Sequence, residues 1–425
     1  MHLQFVFLHF DCKPTQPESV NSDIGETQPI QSTRLRVCIR SKLMWIIFTV
    51  MIIAIITIPT AIILTKKGNV VETNLTTKPS TTITTAKEAV WILTGSMSSA
   101  RAYHTASILP NGNVLVTGGT ADRKTVLNSA EVYNPFTGLW TTTGSMNTGR
   151  LHHTASILTN GSVLVAGGTT DGIVISSRAE VYDPSTGLWT NTGRMSTARC
   201  LHTASIFANG NVLVAGGITG AGTVLSSAEV YNPSTGLWTT TGKMHNARFN
   251  HIASILMNGD ILVVGGMSNE FISSAEVYNP FTGLWTNTGK MNPARYCHTQ
   301  ITLTNGDVLV AHGFNDSPLL SSAEVYNPST RLWATTSTKN TARILHIQVT
   351  LKNGNVLVAG GTGKGGTVLS SAEVYDLSTG IWTTAGTMNT ARYRHTASIL
   401  TNGNILVVGG IVDESNITSN AEVYG

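Results

Sequence analysis

The chain is built by repetition. From Arg101 onward, four short segments recur in a fixed order with a period of 47 to 49 residues, and seven copies are visible. The first copy reads RAYHTASIL (101–109), NGNVLVTGG (111–119), SAEVYNP (129–135) and TGLWTTTG (137–144). A unit this short cannot bury its own apolar face. Copies must therefore pack on one another, and periods of this size point to propellers or arrays.

Each segment has the composition of a strand. TASIL and VLV are rich in branched apolar residues, and Asn-Gly separates them in every copy, from Asn111-Gly112 to Asn402-Gly403. Asn-Gly is a strong hairpin signal, because a type I′ turn needs φ > 0 at both central positions. The Pro, Ser, Thr and Gly of NPSTG and NPFTG supply a second turn, between the third and fourth segments. The unit is then a four-stranded antiparallel meander, and its radial repetition is an all-β, seven-bladed β-propeller. Six copies, Trp140 to Trp382, carry the fourth segment, and the last copy stops within a third one, AEVYG (421–425). AVWILTGSM (89–97) puts Trp91 in the same frame. It is expected to pair beside the final strand and close the ring, leaving no edge open.

The glycine doublet, AEVY and a tryptophan at fixed distance after it, as in Glu131, Tyr133 and Trp140, resemble the kelch-repeat family over residues 89–425. The spelling AEVYNPSTGLW is most similar to the branch that includes the galactose-oxidase-like propellers.

Charge argues against nucleic acid as a partner. Seven of the 27 basic and four of the 23 acidic residues fall in residues 1–67, which leaves 20 bases against 19 acids in the remainder. A nearly neutral body has no basic stripe to follow a phosphate backbone. The four cysteines, Cys12, Cys38, Cys200 and Cys297, match neither a zinc pattern nor a disulfide framework.

Ahead of the repeats, Leu43 to Leu64 run for 22 residues without a charge. As a helix they would extend about 33 Å, enough to cross a bilayer. Arg34, Arg36, Arg40 and Lys42 before the stretch outnumber Lys66 and Lys67 after it, which keeps the N-terminus in the cytoplasm. The expected organisation is a cytoplasmic tail (1–42), a transmembrane signal-anchor helix (43–64), a disordered threonine-rich stalk (65–88) and the propeller (89–425). This is a single-pass type II protein with its propeller on the extracellular or lumenal side. Asn74 and Asn416 lie in Asn-x-Ser/Thr sequences and are the glycosylation candidates, whereas Asn160 sits in a tight turn.

Tyr296, Cys297 and His298 bring together a phenol, a thiol and an imidazole, the residue types of a metal or radical site. Yet Arg-x-x-His recurs in all seven copies, from Arg101 and His104 to Arg392 and His395, so His298 is a repeat position. Packed sheets lie roughly 10 Å apart, whereas the ligands of one metal lie roughly 2 Å from it. Equivalent histidines therefore do not readily share an ion. Cys297 occupies a slot held elsewhere by Tyr103, His152, Leu201, Asn250, Leu345 and Arg394. The resemblance to galactose oxidase implies a copper held by two tyrosines and two histidines, with one tyrosine cross-linked to a cysteine. Here no second independent tyrosine–histidine pair is evident. GTGKGGT (361–367) lacks the Ser or Thr of a phosphate loop and precedes a strand. No catalytic residue, cofactor or metal is expected. The repeated Arg101 and Glu131, with their six equivalents each, are expected to form ion pairs buried between strands.

An up-down meander puts the Asn-Gly and Asn-Pro turns on one face, which repeats monotonously, and the remaining connections on the other, which varies. Variable loops on a rigid scaffold are where recognition sits. Arg123, Lys124, Glu270, Phe271, Phe314, Lys364, Asp413 and Glu414 are the candidate contacts on that face. The expected function is a non-catalytic, membrane-anchored binding or adhesion module for a protein or a glycan. The resemblance implies two alternatives: a copper radical oxidase acting on extracellular sugars or aldehydes, and a kelch adaptor for protein ubiquitination. The second alternative would need an oligomerisation domain that 42 residues cannot hold.

Overall fold

The computed structural model describes residues 89–171, 173–315, 319–337 and 341–425. The tail, the apolar segment 43–64, the stalk, Cys12, Cys38 and Asn74 lie outside the described residues. Among the described residues no helix is long and apolar enough to cross a membrane.

Twenty-eight strands form seven four-stranded antiparallel sheets arranged as a seven-bladed propeller. Blade 1 consists of Thr105–Ile108, Val114–Thr117, Ala130–Asn134 and Leu139–Thr143, in that order from the axis outward. Blade 7 takes Thr396–Ile399, Ile405–Val408 and Ala421–Tyr424 from the end of the chain and its outermost strand, Trp91–Thr94, from the beginning. Trp91 pairs with Tyr424 and Thr94 with Ala421. The ring is closed by hydrogen bonds between segments more than 300 residues apart.

The core lies between blades. Every second strand is buried along its whole length, and its alternate side chains serve two different neighbours. Val114 and Val116 of blade 1 pack with Leu406 and Val408 of blade 7, whereas Leu115 packs with Val163 and Val165 of blade 2. In the outer half, Tyr133 packs tilted against Trp140 at 5.1 Å between ring centres, and the Trp140 indole N–H reaches back 2.8 Å to the Gly95 carbonyl. The seam repeats the arrangement, with Trp91 on Tyr424 at 4.9 Å.

The Asn-Gly hairpins differ from expectation. Gly112 has φ +82°, but Asn111 is not in the left-handed region. Gly112 N–H donates to the Leu109 carbonyl and Leu109 N–H to Asn113, so three residues form the loop, a type I turn followed by a left-handed glycine. The asparagine has another use: its Oδ1 accepts the Asn113 amide at 3.1 Å.

The glycine doublet marks where one blade touches the next. A Cβ on Gly118 would lie 2.5 Å from the Arg150 carbonyl oxygen and 2.8 Å from His153 Cε1 of blade 2, so no side chain fits. The next amide, that of Gly119, donates to the same Arg150 carbonyl at 2.9 Å. In blade 5 His312 replaces the first glycine, at φ +61°. There the corresponding bond, Gly313 to Arg343, lengthens to 3.5 Å, and His312 Nδ1 meets His346 Nε2 at 3.0 Å.

Each repeated arginine pairs with the glutamate of its own blade. Arg101 Nη2 lies 2.6 Å from Glu131 Oε1, Arg199 2.8 Å from Glu229 and Arg392 2.8 Å from Glu422, and all seven arginines are fully buried. Arg101 Nη1 also donates to the Gly118 and Ser129 carbonyls. The carboxylate is as well partnered: Glu131 accepts the Ser98 and Ser99 amides of the segment that enters the blade. Burial disfavours the Glu131 charge, but the Ser98 amide and Arg101 outweigh it and hold the carboxyl below its usual range.

The repeated histidines ring the axis. His153 Nε2 bonds Thr105 Oγ1 of the preceding blade at 3.0 Å, and His104, His202, His251 and His346 repeat this at 2.8–3.0 Å. Blades 4 and 6 carry Ile252 and Ile347 where the others have threonine, so His298 and His395 lack this threonine bond. Burial, reinforced by the neighbouring arginines, pushes His104, His202 and His298 down to about 3 and places His153, His251 and His395 well below their ordinary value.

Two predictions follow from these buried groups. Glu229→Ala leaves Arg199 buried without its counter-charge and removes the acceptor for the Ser196 and Thr197 amides. Denaturant melts should show a loss of about 3–5 kcal/mol, and a change near zero would contradict the clamp. The histidines predict the pH dependence. Their folded values lie below the unfolded value of about 6.5, so the unfolded state binds more protons below that pH. Stability is then fully present above pH ~6.5 and declines as pH falls, at up to ~1.4 kcal/mol per pH unit for each histidine. Denaturant melts between pH 8 and pH 4 should show the decline beginning near pH ~6.5. A flat curve down to pH ~5 would contradict neutral burial.

Candidate recognition face

The variable loops leave the second strand of each blade and return to the third. Their bases are fixed: Thr120 exchanges backbone bonds with Ala102, and equivalent bridges recur in every blade. Their tips are often stiffened by side chains that bond their own backbone. Asp122 accepts the Lys124 and Thr125 amides, Asp171 those of Ile173 and Val174, and Asp413 those of Ser415 and Asn416. These amides hold the Asp122 and Asp171 carboxyls below their usual range, and the Asn416 side chain followed by the two backbone amides does the same for Asp413.

The eight candidate contacts fall into separate groups. Phe271 of blade 4 and Phe314 of blade 5 come together at 5.7 Å, and Tyr296 joins them at 5.3 and 5.8 Å. All three rings are partly exposed, and Glu270 beside them is exposed. Backbone bonds between Tyr296 and Phe314 fix the cluster from beneath. Burial raises the Tyr296 phenol above its usual value despite the Arg394 guanidinium. On the other side, Arg123 bridges two blades: its Nη2 donates to the Asp413 carbonyl at 3.1 Å and to Tyr393 Oη at 3.3 Å. Lys124, Lys364 and Glu414 are exposed. Asn416 is exposed, with its amide nitrogen donating to Asp413 Oδ2 at 2.8 Å.

Nearer the axis, the variable slot between each Arg and His makes a tight turn. Tyr103, His152, Leu201, Asn250, Cys297, Leu345 and Arg394 all have φ between +49° and +58°. Backbone bonds run between neighbours around this rim, Asn250 to Leu201 at 3.1 Å and Arg394 to Leu345 at 3.2 Å among them. The rim residues of blades 2 to 7 and the repeated histidines of blades 2 to 6 line an axial cavity of about 440 Å³. Arg394 lies over the Tyr103 ring at 4.8 Å. Sequence reasoning noticed this slot without assigning it to the face, and it missed Tyr296 as a partner of Phe271. The signal was present in the aromatic residue beside a variable position, but the contact joins two blades.

Tyr296, Cys297 and His298 go to three different surroundings. The phenol packs among phenylalanines, Cys297 forms part of the rim, and His298 is buried beneath it. Among the described residues no group of three His, Cys, Asp or Glu is arranged to hold a metal ion. Tyr296, Cys297 and His298 therefore do not converge on one point. Cys200 is a core residue whose thiol burial pushes up to about 12, far from a nucleophile's range.

Comparison with known proteins agrees with the architecture. The family described as KLHDC2/KLHL20/DRC7 Kelch-repeats domain matches residues 153–349, and the Kelch motif matches residues 101–147 and 348–389. No curated protein matches the chain by sequence. Among solved structures, a fungal alcohol oxidase of the AA5 family in complex with copper is similar, with a TM-score of 0.66 and 18% identity. The match covers 79% of this chain and 76% of that one, and at this identity it speaks for the fold. The repeat spelling, the seven closed blades and these matches together identify the described body as a seven-bladed propeller of kelch repeats.

Proposed function

We propose that the protein is a membrane-anchored recognition module that binds a protein or glycan partner on the loop face of its propeller and has no catalytic step of its own. One observation carries the reading. The repeated side chains that could do chemistry, the Arg–Glu pairs and the histidines, are buried as fastenings within and between blades. The side chains that break the repeat, Phe271, Tyr296 and Phe314, gather in a half-exposed cluster on the loop face. Rigid aromatic area beside an exposed charge such as Glu270 is the composition of a binding hot spot. The anchor is supported by the uncharged stretch 43–64 and its flanking charges.

The test uses the full chain in lipid nanodiscs, screened against immobilised oligosaccharides and cell-surface ectodomains. A binder should lose at least about tenfold in affinity with Phe271→Ser/Phe314→Ser, the scale of one hot-spot contact. It should keep its affinity with Ser234→Ala on the opposite face. Peroxide formed from sugars or alcohols by copper-loaded protein, with binding unaffected by the aromatic substitutions, would replace this reading with the oxidase one.

A further inference from the structure

The face formed by the turns is less uniform than its sequence suggests. The turns between the third and fourth strands of blades 2, 3, 5 and 6 place Ser185, Ser234, Ser329 and Ser378 at their tips. Blades 1 and 4 place Phe136 and Phe281 there instead, exposed to 86% and 98%. Each has an exposed leucine three residues on, Leu139 at 61% and Leu284 at 62%, and Met257 in the Asn-Gly turn of blade 4 is 78% exposed. Three blades separate the two phenylalanines in a ring of seven, so they stand on roughly opposite sides of the disc and at the same height. Single exposed apolar side chains are ordinary on a protein surface, so what sets these two apart is the face they share with the entering chain.

The same face receives the chain. In blades 1 to 6 a tight turn of this kind joins the third strand to the fourth. In blade 7 that place is taken by Val90 and Gly425, which exchange backbone bonds at 3.3 and 3.2 Å. The polypeptide from the apolar stretch 43–64 therefore reaches the propeller at Ala89, on the turn face, after the 24 residues of 65–88. The charges on this face do not repel a lipid surface of either sign strongly. Lys352 and Arg331 are exposed, and Asp183 and Asp376 accept the Ser185 and Ser378 amides.

We propose that the turn face is a membrane-seating surface, on which Phe136 and Phe281 enter the interfacial layer of the bilayer that holds segment 43–64 and set the loop face outward. This rests on the anchored reading above. Phenylalanine partitions into the membrane interface, and two insertions on opposite rims beside a tether on the same face fix the tilt of a disc.

The test is hydrogen exchange on the full chain reconstituted in phosphatidylcholine vesicles, comparing the natural protein with Phe136→Ser/Phe281→Ser. The reporters are the turns of blades 2 and 3, residues 183–187 and 232–236, which are identical in the two proteins. Seating should slow their exchange at least about fivefold relative to the variant, leave the loop 120–129 unchanged, and do so at every protein-to-lipid ratio. Equal exchange in both proteins overturns the proposal. So does protection that grows with protein density, which marks a second copy as the occupant. Alkaline carbonate extraction separates the two readings: a chain that washes off overturns the anchor and the seating together, whereas a retained chain with unprotected turns overturns the seating alone.

Discussion

The buried pair of Arg and Glu in each blade is the interaction on which the rest depends. The guanidinium ties the end of the second strand to the start of the third through two carbonyls, and the carboxylate holds the incoming segment through backbone amides. Burying two charges is costly, and such a pair contributes little over a well-packed apolar substitute. Its value lies in geometry. An apolar residue could fill the space but could not hold four backbone groups whose partners water would otherwise supply. With those groups satisfied, the arginine carbonyl is free to accept the amide of the preceding blade's second glycine, as Arg150 does from Gly119. The ion pair thus sets up the contact between blades.

Much of this was legible in the sequence, because radial repetition turns one structural solution into seven spellings of it. The meander, the closing strand and the burial pattern follow from periodicity and from Trp91 lying in frame. Pairing was harder. Spacing alone does not say whether Arg101 meets Glu131 or a glutamate of the next blade, since both are consistent with seven of each. The Asn-Gly turns were assigned the wrong type because the asparagine was credited with its own left-handed φ, when its side chain instead caps the following residue. The threonine partners of the histidines went unnoticed because the bond crosses from one copy to the next. They become visible once Ile252 and Ile347 are seen to interrupt the series.

The candidate site was legible in part, for the same reason. Departures from the repeat identified Phe271 and Phe314 as unusual, but not that they meet, nor that Tyr296 completes the cluster. Spacing also did not reveal that Arg123 donates to the Asp413 main-chain carbonyl and braces blade 1 against blade 7. The turn face was passed over as monotonous because a Ser-to-Phe exchange in a loop leaves the strand pattern intact. Function on such a scaffold is written in its exceptions, and each exception has to be placed in space before its meaning can be read.

The most direct test of the account is a double-mutant cycle at Arg199 and Glu229, measured by denaturant unfolding with Arg199→Met, Glu229→Leu and the two combined. A structural clamp predicts that each single change is severe and that the combination costs much less than their sum, with a coupling of about 2 kcal/mol or more. Additivity within about 0.5 kcal/mol would mean that the two groups do not act together, and the repeated charges would have to be explained in some other way.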